Sequence, residues 1–264
     1  MKLRSTILAS AGVLALATFA TGAAQAEGDF SGVLSGDYAH IDASGGGGSA
    51  NSWGINGSGA FGLGGSGLAG EVDGGYARLS GGGVDANDWT IDGSIFWRAT
   101  QGRIGAVLGY NSTDIGGSGG TFHATNYGAF GEWYAGHAFT VGVKGGGFNG
   151  SSSVKGDYLG AAVTAYAMPD LAFQGSYNYL HVNHIGNEND WAIQGEWLVS
   201  EQTPVSIFAG YENSNFSGAG HVNTWFIGVK LYTNPNGPAP LVDRQRSGAA
   251  TWGTQFAPLG FSLL

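Results

Sequence analysis

The residue types that could support catalysis or metal binding are concentrated in one stretch, His181 to Asp190, which reads H-V-N-H-I-G-N-E-N-D. His181 and His184 lie three residues apart and are followed by Glu188 and Asp190. Imidazole and carboxylate groups bind divalent metals, and a histidine can act as a general base in hydrolysis. No serine follows the pair in this stretch, and spacing on a loop fixes no ligand geometry. We therefore expect a solvated polar loop, with no metal site, no cofactor and no enzyme activity.

The glycine runs do not change that expectation. Gly45 to Gly48 and Gly81 to Gly83 are not followed by a Gly-Lys-Ser/Thr sequence or by a helical pattern. A phosphate-binding loop needs both, so these runs predict surface loops.

The segment from Trp89 to Arg98 indicates the type of secondary structure that positions the remaining charged residues. It reads W-T-I-D-G-S-I-F-W-R, with Trp89 and Trp97 on one parity and Asp92 and Arg98 on the other. This period of two predicts a β-strand. Tryptophans eight residues apart on a tilted strand are separated by roughly 20 Å along the barrel normal, close to the apolar band of an outer-membrane barrel.

The N-terminus has the pattern of a secretory signal peptide. Lys2 and Arg4 precede an apolar segment, Ile7 to Ala20, and Ala24-Gln25-Ala26 is a cleavage site of the A-x-A type. The mature chain is expected to begin at Glu27, and no later segment has the apolar length of a transmembrane helix. Periplasm, secretion and an outer-membrane barrel remain as destinations.

Composition narrows the class of protein further. The 264 residues include 51 glycines, no cysteine and only 11% charged residues, against about 25% in ordinary soluble domains. Without Lys2 and Arg4 the mature chain has eight basic and nineteen acidic residues, a formal charge of −11. Nucleic acid is not an expected partner, because binding it requires a basic surface.

About twelve strands are predicted between Asp29 and Thr233, joined alternately by short turns and by longer Gly/Ser/Asp/Asn loops. The long loops are placed at residues 42–50, 80–88, 114–120, 149–156, 181–190 and 213–220. Aromatic residues fall at the strand ends and form two expected membrane-interface girdles: Tyr38, Trp53, Tyr76, Trp89, Tyr110, Tyr179, Trp191, Tyr211 and Trp225 beside the long loops, and Trp97, Trp133 and Trp197 beside the short turns. A secreted β-sandwich or β-helix is the alternative fold, but neither has a reason to sort its aromatics in this way.

With this signal peptide, alternation and pair of girdles, the chain resembles the small porin-like outer-membrane β-barrels of Gram-negative bacteria. The resemblance implies an all-β, antiparallel, up-and-down transmembrane barrel at residues 27–233, after a cleaved signal peptide at residues 1–26. The final strand, Thr224 to Tyr232, resembles the assembly signal of such barrels, but here the chain continues to Leu264. Residues 234–264 are expected to be a periplasmic tail or to fold up into the lumen. The implied location is the outer membrane, with lipid, lipopolysaccharide and the barrel-assembly machinery as partners.

The residues at the inward-facing positions of the predicted strands indicate the function. They are rich in small and polar residues, and twelve strands should leave a narrow, wet space, so passive diffusion of small hydrophilic solutes or ions is the first hypothesis. A structural or adhesive barrel with a closed lumen and an outer-membrane hydrolase are the alternatives. The predicted pore-lining residues are Glu71, Asp73, Asp92, Arg98, Arg103, Glu132, Lys144, Glu196 and Lys230.

Two finer predictions concern these charges. The turn at Thr100 to Gly102 places Arg98 opposite Arg103. Counting back from the loop after Asp114 places Glu132 beside Arg103, and counting from the loop before Asp88 places Glu71 near Arg98. Acidic residues on the outer loops (Asp42, Asp85, Asp88, Asp114, Asp157, Glu188 and Asp190) predict a weak preference for cations.

Overall fold

The computed structural model describes residues 30–44, 48–64, 67–81, 83–117, 120–217, 220–233 and 237–247. The predicted signal peptide lies outside these ranges. Period-two sequence and a lack of helix-forming runs give twelve strands: β1 (Ser31–Ala43), β2 (Gly48–Gly62), β3 (Leu68–Gly81), β4 (Val84–Ala99), β5 (Gly102–Ile115), β6 (Gly120–Ala135), β7 (Phe139–Gly150), β8 (Lys155–Met168), β9 (Leu171–Val182), β10 (Gly186–Leu198), β11 (Val205–Phe216) and β12 (Gly220–Thr233). One α-helix, α1 (Leu241–Ser247), follows them.

The twelve strands form a closed barrel in which every strand pairs antiparallel with its neighbours in sequence. Closure is made by β1 and β12, which are paired from Gly32 opposite Thr233 to Ala43 opposite Val222. A closed sheet leaves no edge, so the backbone N–H and C=O groups are satisfied within the sheet even in lipid. The predicted fold class, a porin-like antiparallel up-and-down barrel, is confirmed.

The barrel has apolar side chains outside and polar side chains inside. On β4, Ile91, Ile95 and Trp97 are each 51% exposed on the outer face, whereas Asp92 and Phe96 on the inner face are 3% and 2% exposed. A soluble protein would bury the first set and solvate the second. The outer surface is therefore one that lipid, not water, would cover favourably.

The long loops predicted at one end of the barrel are mostly strand, and this prediction is wrong. β4 begins at Val84 and not near Trp89, and β10 begins at Gly186 and not near Trp191. His181 accordingly lies on β9, and only residues 183–185 turn between β9 and β10. Both faces of these strand ends carry polar residues, so the hydrophobic alternation that marks a strand is absent there while backbone pairing continues.

Outward aromatic residues form a ring just below these polar strand ends. Trp53 and Tyr76 have ring centroids 5.5 Å apart, and Trp89 and Tyr110 have centroids 5.3 Å apart. Tyr211 lies between Trp191 and Trp225, at 5.3 Å and 4.6 Å. At the opposite end Trp97, Trp133 and Trp197 also point outward. That these rings lie at two membrane interfaces stays a prediction.

The end of the barrel where the chain leaves β12 also carries α1, and we call it the turn end. Within the described ranges no helix has the length and apolar character needed to cross a membrane.

Candidate functional site

The charged side chains predicted to line a pore all lie on the inward parity of their strands. Asp73, Asp92 and Glu196 are each 3% exposed, and Lys144 is 5% exposed. Strand extension brings further acids to the inner face that were predicted on outer loops: Asp88, Glu188 and Asp190. Asp37 and Glu212 face inward as well, although the sequence did not single them out. The structure brings these groups together along one lumen, while their role in conduction stays a prediction.

At the turn end, side chains from the wall itself fill the part of the lumen bounded by β2 to β6, which we call the packed half. Phe96 and Phe130 lie 5.9 Å apart between ring centroids and form a buried cluster with Ala60 and Ala69. The wall here carries alternating large and small residues, so the two rings meet with little space between them.

The charge ladder predicted in this half is present in its central part. Arg98 is opposite Arg103, and Arg103 is opposite Glu132, as the two-residue turn implied. Arg103 donates to Glu132 from Nε at 2.8 Å and from Nη2 at 2.9 Å. Both guanidinium groups also lie near the Phe96 ring, at 5.4 and 5.7 Å from its centroid. Two like charges therefore lie close to one aromatic ring, and Arg103 has a bidentate carboxylate partner. Glu71 is opposite Ser94, four residues from Arg98.

On the other side, bounded by β7 to β12, a second ion pair lies against the wall. Lys230 Nζ is 2.6 Å from Glu196 Oε2, and its ammonium lies 5.0 Å from the centroid of Phe208. Glu196 also accepts hydrogen bonds from Ser206 at 2.6 Å and from the Tyr232 hydroxyl. Three wall donors therefore share the carboxylate, and the lysine reaches it by crossing β11 instead of pointing towards the axis.

Long inward side chains lie flat against the barrel wall because the residue that they cover on the neighbouring strand is a glycine. A Cβ built on Gly210 would overlap the Phe226 ring, and one built on Gly228 would overlap the Phe208 ring. A Cβ on Gly160 would lie 2.7 Å from Lys144 Cε. Glycine thus lets each neighbour rest on the backbone of the next strand, which keeps its bulk away from the lumen axis.

The space left between these walls is a cavity of about 240 Å³. Charged groups of both signs reach it, among them Asp37, Asp73 and the two ion pairs, together with the neutral donors and acceptors Asn56, Thr164, Gln174 and Gln194. Gln245 and Arg246 of α1 line it at the turn end. The cavity therefore borders strands on both sides of the lumen. We call the side bounded by β7 to β12, together with α1, the capped half.

The sequence leaves open whether the tail is periplasmic or folds up into the lumen, and it does not single out α1 within that tail. Residues 237–247 contain no repeating apolar pattern, and their docking buries Leu241 and Val242 and uses polar side chains. The signal that could have suggested it is a buried-type residue followed by Arg244, Gln245 and Arg246 directly after a proline-rich link.

The structure separates the polar groups of the histidine stretch. His181 Nδ1 is 2.6 Å from Asn187 Oδ1, and His184 lies in the turn with a φ of 67°. Glu188 and Asp190 point into the lumen, on the opposite face of β10 from Asn187. Among the residues that the structure describes, no group of three His, Cys, Asp or Glu side chains could hold a metal ion.

Comparison with known proteins bears on the fold. No family model and no curated protein matches the chain. The solved KdgM porin in complex with disordered oligogalacturonate has a TM-score of 0.54 and 12% identity, covering 76% of this chain and 99% of that one. The NanC porin has a TM-score of 0.54 and 12% identity, covering 75% and 98%. An outer-membrane channel from Pseudomonas putida F1 has a TM-score of 0.51 and 12% identity, covering 78% and 96%. The chain shares the fold of small outer-membrane porins, and at this identity the likeness concerns the fold alone.

Proposed function

We propose that the protein is an outer-membrane channel for the passive diffusion of small hydrophilic solutes. The observation that carries the proposal is the reversed polarity of a closed barrel, apolar on the outside and charged on the inside. A barrel stabilised only as a scaffold could fill its lumen with apolar side chains. Here the lumen keeps hydrogen-bonding groups around a cavity of about 240 Å³, which suits a hydrated solute.

The proposal includes a topology. Residues 1–26 are a signal peptide, residues 27–233 form the membrane barrel, and residues 234–264 are a tail on the periplasmic side. An even number of strands returns both ends of the barrel to one side, and the C-terminal end of β12 lies at the turn end beside the start of β1. Protease added to intact cells should spare residues 241–264. Cleavage of that tail from outside would reverse the orientation.

The channel should prefer cations weakly. Inward acids outnumber inward bases on the described strands: Asp37, Glu71, Asp73, Asp88, Asp92, Glu132, Glu188, Asp190, Glu196 and Glu212 face Arg98, Arg103, Lys144 and Lys230. Two of the acids are neutralised by ion pairs with Arg103 and Lys230, which limits the preference. Like-signed charge in a narrow low-dielectric passage raises the local concentration of counter-ions.

The test is the reversal potential of the refolded mature protein in a salt gradient across a planar bilayer. We expect cation preference at low salt that declines as the Debye length falls from about 30 Å at 0.01 M to 3 Å at 1 M. A clear anion preference at low salt would show that the inward arginines and lysines dominate the path.

A structural or adhesive barrel without an open pore is the second candidate, and the packed half favours it. The Phe96 cluster blocks part of the turn end with residues that belong to the wall. The same bilayer recording separates the two functions, because a barrel of this kind would insert without producing discrete current steps.

A further inference from the structure

We propose that α1 is a plug that closes the capped half of the lumen at the turn end, and that its release opens the channel. The inference rests on the proposed channel function. It concerns a segment that follows the last strand and pairs with none of them.

The apolar anchor of the plug is Leu241. Its side chain is 0% exposed and packs in one cluster with Ala172, Leu198 and Tyr232, which are inward residues of three different strands. Helices of this length are not stable alone in water, so α1 depends on its docking for its helical state. The wall therefore forms a docking site for this segment, and α1 should lose its helical conformation when it leaves that site.

Two polar contacts tether the start of α1 to neighbouring turns. The Leu241 N–H donates to the Pro169 carbonyl in the β8–β9 turn at 2.7 Å. Arg244 Nη2 donates to the Glu201 carbonyl in the β10–β11 turn, also at 2.7 Å. Both acceptors are backbone carbonyl oxygens in the turns. These contacts therefore position the helix without using the charged side chains of the lumen as partners.

The end of α1 reaches into the lumen and across its mouth. Gln245 accepts a hydrogen bond from the Tyr166 hydroxyl at 2.9 Å and donates to Glu196 Oε2 at 3.1 Å. Arg246 donates to Thr140 Oγ1 at 3.0 Å and to the Phe139 carbonyl at 2.7 Å, on the far side of the mouth. Since Leu241 is held by β9, β10 and β12 while Arg246 is held by β7, the helix spans the opening that the packed half leaves.

The guanidinium of Arg246 is also placed between two aromatic rings, at 4.6 Å from the Tyr134 centroid and 5.3 Å from the Tyr166 centroid. Such contacts are weaker than the pairing of a whole strand. A plug held in this way can undock while the strand pairing of the barrel stays intact. This is expected because a segment with few buried contacts opens at a lower free-energy cost than the strands do.

The experiment compares full-length variants by single-channel recording in planar bilayers. Leu241→Asp and Arg246→Ala together remove the buried anchor and the far contact of α1. Asp243→Asn, on the exposed side of the same helix, is the matched control. Removing a buried leucine shifts a docking equilibrium by about tenfold or more, so the open probability of the double variant should rise by at least that factor. Heat-modifiable migration on gels verifies that every variant is a folded barrel.

A second readout uses the absence of cysteine from the chain. Gln245→Cys introduces a single thiol at the tip of the plug, and its labelling by a charged thiol reagent should be slow in the docked chain. Adding Leu241→Asp should accelerate labelling by about the same factor as the open probability. Equal labelling rates with and without Leu241→Asp would overturn the plug.

The outcomes separate this inference from the channel function. Equal conductance and open probability for the full-length protein, its control and the double variant would overturn the plug and leave the channel standing. Lower conductance in the double variant would also overturn it, because α1 would then form part of the conducting wall. Folded barrels that give no current steps with or without α1 docked would overturn the channel function and the plug with it.

Discussion

The two halves of the turn end are closed by different means. In the packed half the closing groups, Phe96 and Phe130, belong to the strands and share their backbone pairing. In the capped half the closing group is α1, which buries Leu241 and Val242 and docks with a few polar side chains. The phenylalanine cluster is therefore part of the folded barrel, whereas α1 can undock without unfolding the barrel.

The electrostatics of the two halves differ in the same way. The Arg103–Glu132 pair has side chains 2% and 4% exposed, and Glu132 also accepts a hydrogen bond from the Tyr134 hydroxyl at 3.3 Å. Glu196 is also almost fully buried, but Lys230, Ser206, Tyr232 and Gln245 share it. The strongest contact of Glu132 is one bidentate pair, whereas Glu196 has four separate donors, so the loss of one donor should cost Glu196 less.

The largest expected effect separates the two closures by stability. Phe96→Ala should lower the free energy of unfolding by about 3–5 kcal/mol, because it leaves a cavity within a cluster that has no other filler. Leu241→Ala should lower it by less than about 2 kcal/mol, since undocking α1 limits the loss to the docking free energy. Denaturant unfolding of protein refolded into lipid vesicles measures both. Equal losses would mean that α1 belongs to the cooperative barrel.

This comparison also marks how far the sequence predicts the structure. Period-two alternation predicts the strands and their facing because lipid requires one apolar face, as on β4 with Trp89 and Trp97 outside and Asp92 inside. The two-residue turn after Ala99 fixes the Arg98–Arg103 pairing, and the next hairpin brings Glu132 to Arg103. These are local constraints, and each was predicted.

The outer strand ends and the tail lack such constraints. Asn213 donates to Asn223 at 2.8 Å on the outward face of strands that continue past the aromatic ring. Polar residues on both faces give no alternation there, so the same residues were assigned to loops. The docking of α1 depends on the shape and donors of a wall assembled from distant strands, which no local pattern in residues 237–247 contains.

A smaller effect should distinguish the two ion pairs. Arg103→Met should destabilise the barrel by about 3 kcal/mol, because it leaves the Glu132 carboxylate buried without its bidentate partner. Adding Glu132→Leu should recover most of that loss, as expected when a buried pair is replaced by apolar groups. Lys230→Met should cost only about 1 kcal/mol, since Ser206, Tyr232 and Gln245 still donate to Glu196. Unfolding free energies of the three variants test this, and equal costs for Arg103→Met and Lys230→Met would remove the distinction.

The smallest effect concerns the open space of the capped half. Gly210→Ala places a Cβ where the Phe226 ring now rests and 2.5 Å from the Ile193 carbonyl oxygen, so the ring must swing towards the lumen axis and the β10–β11 backbone must also shift. Overpacking of this kind should cost about 1–2 kcal/mol of unfolding free energy and lower the single-channel conductance measured with α1 released. Gly175→Ala is the matched control, because a Cβ at that outward position has nothing within 4 Å and should change neither quantity. If Gly210→Ala destabilises the barrel but leaves conductance unchanged, then Phe226 moves along the wall, and the conducting path does not pass this ring.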